Sequence, residues 1–308
     1  MILITGASGL LGACILGRGM ESGREVVGIA RNRTRLQGVD IRVVDLTDPN
    51  ATRGFVAGLR PSVVIHCAAA TDVDWCEDHP REAEALNTAG SRHLAYLARE
   101  VGARFVQIST DSVFDGLAGD YSETDQPKPL NVYARTKCAG EEAVLQVHPQ
   151  ALVLRVNFYG SGGRLRKQKL AEWILGQLKL GLPVRGFTNV FFCPLFVGDL
   201  AQTVFEMLDH ELTGLYHVVG SEKVSKYEFA VRLATTFGFE SGLVVPSCST
   251  HARLRAARPL NTSLQTEKLR RALGHGMPDL NSGLQRFKRA CDELQVEERT
   301  ELFVGGQE

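Results

Sequence analysis

The amino-acid sequence predicts an α/β fold: a doubly wound parallel sheet with helices on both faces, and a smaller, interleaved C-terminal lobe. Three observations predict it. An apolar run at the first residues, Met1–Thr5, leads directly into a glycine cluster, Gly6-Ala-Ser-Gly9-Leu-Leu-Gly12. Short β-branched runs then alternate with amphipathic stretches as far as Leu152, the pattern of strands buried by crossover helices. Beyond Leu152 the rhythm turns irregular, with fewer strands and more special turns, as a lobe that covers a cleft requires.

Met1–Thr5 reads as a buried strand and Leu10–Ser22 as the helix after it. Glu25–Ala30, Ile41–Val44 and Val63–Cys67 are further short strands. Arg81–Val101 is one long helical stretch, and Arg104–Ser109 is the next strand. In the second half Leu170–Leu180 is helical, Gly186–Pro194 is a Phe-rich loop or strand, and Val197–Asp209 is helical again. Ser225 is placed to cap a helix over Lys226–Gly238. The tail after Gln295 is polar and is expected to be loosely ordered. Residues 1–155 are expected to form a Rossmann-type domain to which segments around 190–212 and 245–262 return. Residues 156–308 are expected to form mainly the second, substrate-binding lobe. Right-handed crossovers make the carboxyl edge of the sheet the ligand side.

Composition excludes several classes. Lys plus Arg number 35 against 35 Asp plus Glu, so no net charge draws the chain to nucleic acid or an anionic membrane. With 44% hydrophobic residues it is not a disordered chain. No run of about 18 apolar residues exists, and the first residues lack the basic start of a signal peptide. The seven cysteines are scattered without a CxxC pair, and the eight histidines show no ligand spacing. Free thiols in a cytoplasmic protein, with no metal, are the expectation.

The glycine cluster sits between a strand and a helix, where a dinucleotide's pyrophosphate needs a tight turn and close backbone approach. A ligand-free glycine turn is the bland alternative; the position favours a cofactor. Its contacts would be Gly6, Ser8, Gly9, Leu10, Leu11 and Gly12, through amides at a helix start. An acid at the end of the second strand would select NAD, but Ala30-Arg31-Asn-Arg33-Thr-Arg35 stands there. Arginine forks suit a 2′-phosphate, which favours NADP (as NADPH) and leaves NAD open. Asp45 and Leu46 would lie near the adenine, and Ala68, Ala69 and Ala70 leave room for the dinucleotide.

Tyr133-Ala-Arg-Thr-Lys137 is a YxxxK, and on a helix its two ends share one face. The ammonium would lower the phenol's pKa and ease proton transfer. Alone the motif says little. Here it lies downstream of a strand ending Ile108-Ser109-Thr110-Asp111, whose terminal hydroxyl faces the ligand side. Thr110 would then hydrogen-bond a substrate oxygen beside Tyr133.

With these residues in view, the chain resembles a known family. Gly6/Gly9/Gly12, Ser109–Gly116 (STDSVFDG) and Pro129–Glu142 (PLNVYARTKCAGEE) resemble the extended short-chain dehydrogenases/reductases. Within them the chain is most similar to the dTDP-4-dehydrorhamnose reductase (RmlD-like) branch, supported by Ala68–Glu77, Pro194–Leu200 and Arg258–Leu264. The resemblance implies reduction of the 4-keto group of a nucleotide-activated deoxysugar by NADPH. It assigns Thr110, Tyr133 and Lys137 as catalytic residues, with Tyr133 as proton donor. It also places Thr71, Asp72, Val73, Ser112, Arg258 and Asn261 at the substrate. Asn87 is read as fixing backbone rather than touching ligand.

Departures from the branch bear on the substrate. Ser112 stands where the branch usually has Tyr, which reshapes the sugar pocket. Arg155-Val-Asn-Phe-Tyr159-Gly160 replaces its usual Arg-Thr-Ser-Trp run and is one residue shorter before the Gly. Base and sugar therefore stay open, and so does a homodimer. Phe187, Phe191 and Phe192 read as core or lobe-interface residues, Trp75 as a cleft-rim residue, and Arg164–Lys169 as a solvated loop. A dehydratase is disfavoured because no Glu stands at the third position of Thr110-Asp111-Ser112. An epimerase, or a non-catalytic NADP-binding subunit similar to the β-subunit of methionine adenosyltransferase, stays open.

Overall fold

In a computed structural model of the chain, residues 1–33, 41–162, 169–251 and 255–304 are described. The first half runs β1 (Ile2–Thr5), α1 (Leu10–Glu21), β2 (Val26–Ala30), β3 (Ile41–Val43), α2 (Pro49–Leu59), β4 (Val63–His66), α3 (Val73–Asp78), α4 (Pro80–Glu84), α5 (Ser91–Glu100), β5 (Arg104–Thr110) and α6 (Val132–Val147). The second half continues β6 (Leu152–Val156), β7 (Phe158–Tyr159), α7 (Leu170–Lys179), β8 (Val184–Phe187), β9 (Phe191–Phe192), β10 (Leu195–Phe196) and α8 (Val197–Asp209). It ends with β11 (Gly214–Val218), β12 (Val224–Ser225), α9 (Lys226–Thr236), β13 (Val244–Ser247), α10 (Glu267–Leu273) and α11 (Leu280–Val304).

Seven strands pair in parallel in the order β11-β6-β5-β4-β1-β2-β3, a Rossmann-type sheet. The order reverses between β1 and β4, so the carboxyl ends of those two strands flank a crevice. Alternating side chains serve two cores. Ile2, Ile4, Ile108 and Leu154 meet α1 and α8 through Ile15, Leu16, Leu200 and Val204. Leu3, Val64 and Phe105 face α2, α5 and α6 through Val56, Leu94 and Val144. A third core joins α7, α9 and α11 through Leu175, Phe229, Leu233, Leu284 and Phe287. β8 pairs with β13 and β9 with β12, both outside the main sheet. Helix α8 returns to pack on the central sheet, whereas β13 stays with the third core.

Two expectations need correction. The stretch expected as one helix, Arg81–Val101, is α4 and α5 joined through a π-helical turn over Ala85–Gly90. The wider turn carries Asn87, whose carbonyl lies against Gly140 of α6, where a Cβ would collide with it. The tail after Gln295, expected to be loosely ordered, is helical as far as Val304, because α11 continues through it. Three Glu with Arg and Leu over residues 296–304 favour helix. Residue Arg35 and most of the segment Arg164–Lys169 lie outside the described residues. No described helix is long and apolar enough to cross a membrane, and no described His/Cys/Asp/Glu group could hold a metal. All seven cysteines are free.

Candidate active site

The glycine turn bends at the carboxyl end of β1. Gly6 has φ +63°, and a Cβ there would meet the Ala68 nitrogen at 2.7 Å. At Gly12 a Cβ would run into the Gly6 carbonyl, so both glycines are required for the turn to nest between β4 and α1. Gly9 is the exposed N-cap of α1, without a side-chain cap bond and with no acid in the first turn. By contrast Asp48, Asp72, Asn131 and Ser225 cap α2, α3, α6 and α9 with side-chain oxygens. An uncapped helix start on the ligand edge is suited to an anion, so the residues present fit a dinucleotide's pyrophosphate. Ser8 is half-buried beside it, while Leu10 and Leu11 bury their side chains and offer only main-chain amides.

Arg31 and Arg33 follow β2 and are exposed, open to a 2′-phosphate. Asp45 turns inward to its own loop: the Thr47 hydroxyl (2.7 Å) and amide (2.9 Å) donate to its carboxylate. Those bonds, with the Arg31 charge adding to them, hold Asp45 below the usual carboxylate range. Leu46 is buried in the core next to it. Ala68, Ala69 and Ala70 leave β4 half-buried along the crevice. The Ala68 amide donates to Thr5 Oγ1 (3.2 Å), tying the two flanking strands together.

Three side chains converge on the far side of the crevice. Thr110 ends β5, and its hydroxyl lies near enough to the Tyr133 phenol to lower its pKa. Tyr133 and Lys137 stand one turn apart on α6, whose start is capped by Asn131 accepting from the Ala134 amide at 2.8 Å. Lys137 Nζ donates to the Ile108 carbonyl at 2.6 Å. The expected lowering of the phenol by the ammonium is overturned. Burial pushes Tyr133 up to about 12 against the Thr110 hydroxyl, and Lys137 is not among the groups that move it. Burial also pushes Lys137 down to about 8, opposed by the Glu141 charge. Desolvation outweighs the local charges for both groups.

Sequence reasoning missed the polar groups beneath this site. Glu141, one turn beyond Lys137, receives two bonds at 3.1 Å from Arg155 Nε and one at 2.7 Å from Nη2. Ser109 donates to the same carboxylate. Both charged partners are buried, and breaking such a pair costs about 3–5 kcal/mol. Asp111 collects Asn157 Nδ2 (2.6 Å), Thr262 Oγ1 (2.6 Å), Thr110 Oγ1 (3.2 Å) and Ser112 Oγ (3.3 Å). An acid directly after the catalytic Thr was the only local signal for it. His66 bridges Thr5 (2.7 Å) and Ser91 (3.1 Å) under the crevice.

Asn87 does what was expected of it. It accepts from the Ala70 amide (2.8 Å) and donates to the Ala70 carbonyl (3.1 Å) and to Thr136 on α6 (3.0 Å). Thr71, Asp72 and Val73 follow at once, the first two exposed, with Asp72 capping α3 through the Trp75 amide. Arg258 lies close by, but its guanidinium is paired with Asp74 at 3.0 Å. Asn261 is occupied with Ser263 and the Ala118 carbonyl, so its side chain holds the 118–120 loop. Trp75 is exposed and stacks on His79 at 4.4 Å. Phe192 is buried against Phe229 at 5.5 Å, a core contact.

Comparison with known proteins gives the family to which this fold belongs. A family model described as the RmlD substrate binding domain matches residues 1–292. A probable low-salt glycan biosynthesis reductase of Haloferax volcanii is 33% identical over 293 residues, covering 94% of this chain and 98% of that protein. Methionine adenosyltransferase 2 subunit beta of Bos taurus is 34% identical over 276 residues, covering 87% and 81%. Among solved structures, the dTDP-4-dehydrorhamnose reductase of Bacillus anthracis in complex with NADP superposes with a TM-score of 0.85 at 28% identity, covering 94% of this chain and 98% of that one. Sequence and fold thus agree along nearly the whole length, and the chain belongs to the RmlD-like family of extended short-chain dehydrogenases/reductases.

Proposed function

We propose that the protein is an NADPH-dependent reductase of the 4-keto group of a nucleotide-activated deoxysugar. The observation that carries this reading is the meeting of the Thr110 and Tyr133 hydroxyls at the carboxyl edge of β5, with Lys137 one helical turn away. Residues 1–155 with the returning helix α8 form the cofactor side, and residues from 156 onward mainly the substrate lobe. The amides at the start of α1 and the exposed Arg31 and Arg33 bind the pyrophosphate and the 2′-phosphate. Asp45, Leu46 and Ala68–Ala70 border the adenosine and the dinucleotide. The reduced nicotinamide supplies the hydride.

The residues of the chain do the rest. Thr110 donates to the keto oxygen and orients it. Tyr133 is a protonated phenol at neutral pH, more firmly so with burial raising its pKa, and it gives its proton to the same oxygen as charge develops there. Lys137 is charged below about pH 8, supports that transfer and binds the nicotinamide ribose. Thr71, Asp72, Val73 and Ser112 line the sugar side, and Arg258 approaches it from the Asp74 bridge.

NADPH oxidation followed with dTDP-, UDP-, GDP- and CDP-4-keto-6-deoxy sugars tests the reading. One member of the panel is expected to turn over, and Tyr133→Phe lowers that rate by about 100-fold to 10,000-fold with NADPH binding kept. A subunit that binds NADP without turnover is the second reading, favoured by the likeness to methionine adenosyltransferase 2 subunit beta. Tight NADPH binding with no oxidation across the panel would put that reading first.

A further inference from the structure

Lys226 is not explained by the chemistry above. It is the first residue of α9, directly after the capping Ser225. A cation at that position opposes the helix dipole, which favours negative charge at a helix start. The side chain is half-buried, which costs an ammonium further. Burial pushes its pKa down to about 8, with the Asp111 carboxylate opposing. Its Nζ stands 3.2 Å from the centre of the Phe192 ring. Among the described residues its Nζ enters no hydrogen bond or ion pair, and the Phe192 ring is its one close contact. Asp111 is no substitute, because Asn157 and Thr262 already donate to that carboxylate at 2.6 Å each.

The surroundings place this ammonium at the reacting end of the cleft. Asp111, whose charge works against that burial, directly follows Thr110. Phe192 beneath it belongs to β9, whose neighbour Phe191 accepts from the Thr262 amide at 3.0 Å and donates to the Leu260 carbonyl at 2.7 Å. Through Phe192, Phe191 and Thr262, which donates to Asp111 at 2.6 Å, Lys226 sits where the second lobe meets the end of the catalytic strand. An aromatic face steadies a cation without using its N–H donors. Three donors are left for an oxygen-rich ligand.

We propose that Lys226 is a specificity-determining residue that donates hydrogen bonds to the sugar moiety of the substrate, to a ring hydroxyl or ring oxygen near the reduced carbon. This rests on the nucleotide-sugar reading. A compact ammonium with free donors distinguishes a hydroxyl-bearing ring from a deoxygenated one at that position, because a missing acceptor leaves the cation unpaired.

The test compares wild type, Lys226→Met and Lys226→Arg, each saturated with NADP. Calorimetry measures binding of the nucleotide sugar that wild type reduces or binds best, and of its nucleoside diphosphate without sugar. Lys226→Met is expected to weaken nucleotide-sugar binding at least tenfold and to leave the nucleoside diphosphate and NADP affinities within twofold. Lys226→Arg is expected to recover part of the loss. Equal loss for the sugar-free diphosphate would overturn the inference, since the contact would then be to phosphate. So would unchanged affinity for both ligands, even with a lowered Tm, because Lys226 would then only pack on Phe192. Wild type that binds NADP but no nucleotide sugar overturns the functional reading, and this inference with it.

Discussion

At the scale of single residues, the site depends on a few side chains that hold backbone rather than ligand. Asn87 is the clearest case, since its amide closes two bonds on Ala70 and a third on Thr136. It joins the loop that flanks the crevice to the helix that carries Tyr133 and Lys137. Asn87→Ala leaves the Ala70 amide and carbonyl without their partners, at about 1–3 kcal/mol. Thermal unfolding should register that cost, and KM for cofactor and substrate should rise together while Tyr133 keeps its proton. The Tyr133–Lys137 pair was legible because four residues of helix set its geometry locally. Glu141 and Arg155 were not legible as a pair. Their meeting depends on β6 lying beside β5, a long-range fact that no local spacing encodes. The electrostatics of the phenol were misjudged for a related reason. Charge partners can be guessed from spacing, but burial, which dominates here, cannot.

At the scale of elements, the glycine turn and the first helix form one unit. Gly12 lies in the first turn of α1 against the Gly6 carbonyl, so Gly12→Ala forces helix and turn apart. NADPH affinity measured by fluorescence titration is expected to fall at least tenfold, and the Tm to fall with it. Gly17→Ala, in the same helix with open space around its Cα, is the control that leaves affinity unchanged. Strands and most helices were legible, because β-branched runs and 3.6-residue periodicity report burial directly. Helix α8 was read to the residue, Val197–Asp209. The π turn over Ala85–Gly90 was not, since its residues look helical and only the contact with Gly140 explains the extra width. Arg258 and Asn261 were read as ligand contacts, yet much of their bonding capacity serves the loops around them.

At the scale of the whole molecule, two deeply buried histidines make stability depend on pH. Burial pushes His66 down to about 3, with the Lys137 charge adding to it, and His217 likewise with Arg155. The unfolded chain binds protons near pH 6.5, well before the folded one does. Stability from both is therefore complete above pH 6.5 and is lost progressively as pH falls toward 3. At pH 5 each histidine costs about 2 kcal/mol. Calorimetric scans should show Tm falling steeply from pH 7 to 5. His217→Phe, which packs against Phe114 where the imidazole now sits edge-on at 5.9 Å, should flatten part of that slope.

The position of β11 has a consequence for how the protein is made. Strands β1 to β6 are complete by Val156, but the sheet waits for β11, and α1 waits for α8, until the chain has travelled through the second lobe and returned. A nascent chain at that midpoint presents the bare edge of β6 and the apolar face of α1 to whatever is nearby. The first half therefore completes its sheet only once Val218 has been made, and until then its unpaired edge is open to wrong partners. The two lobes are joined in time as well as in space.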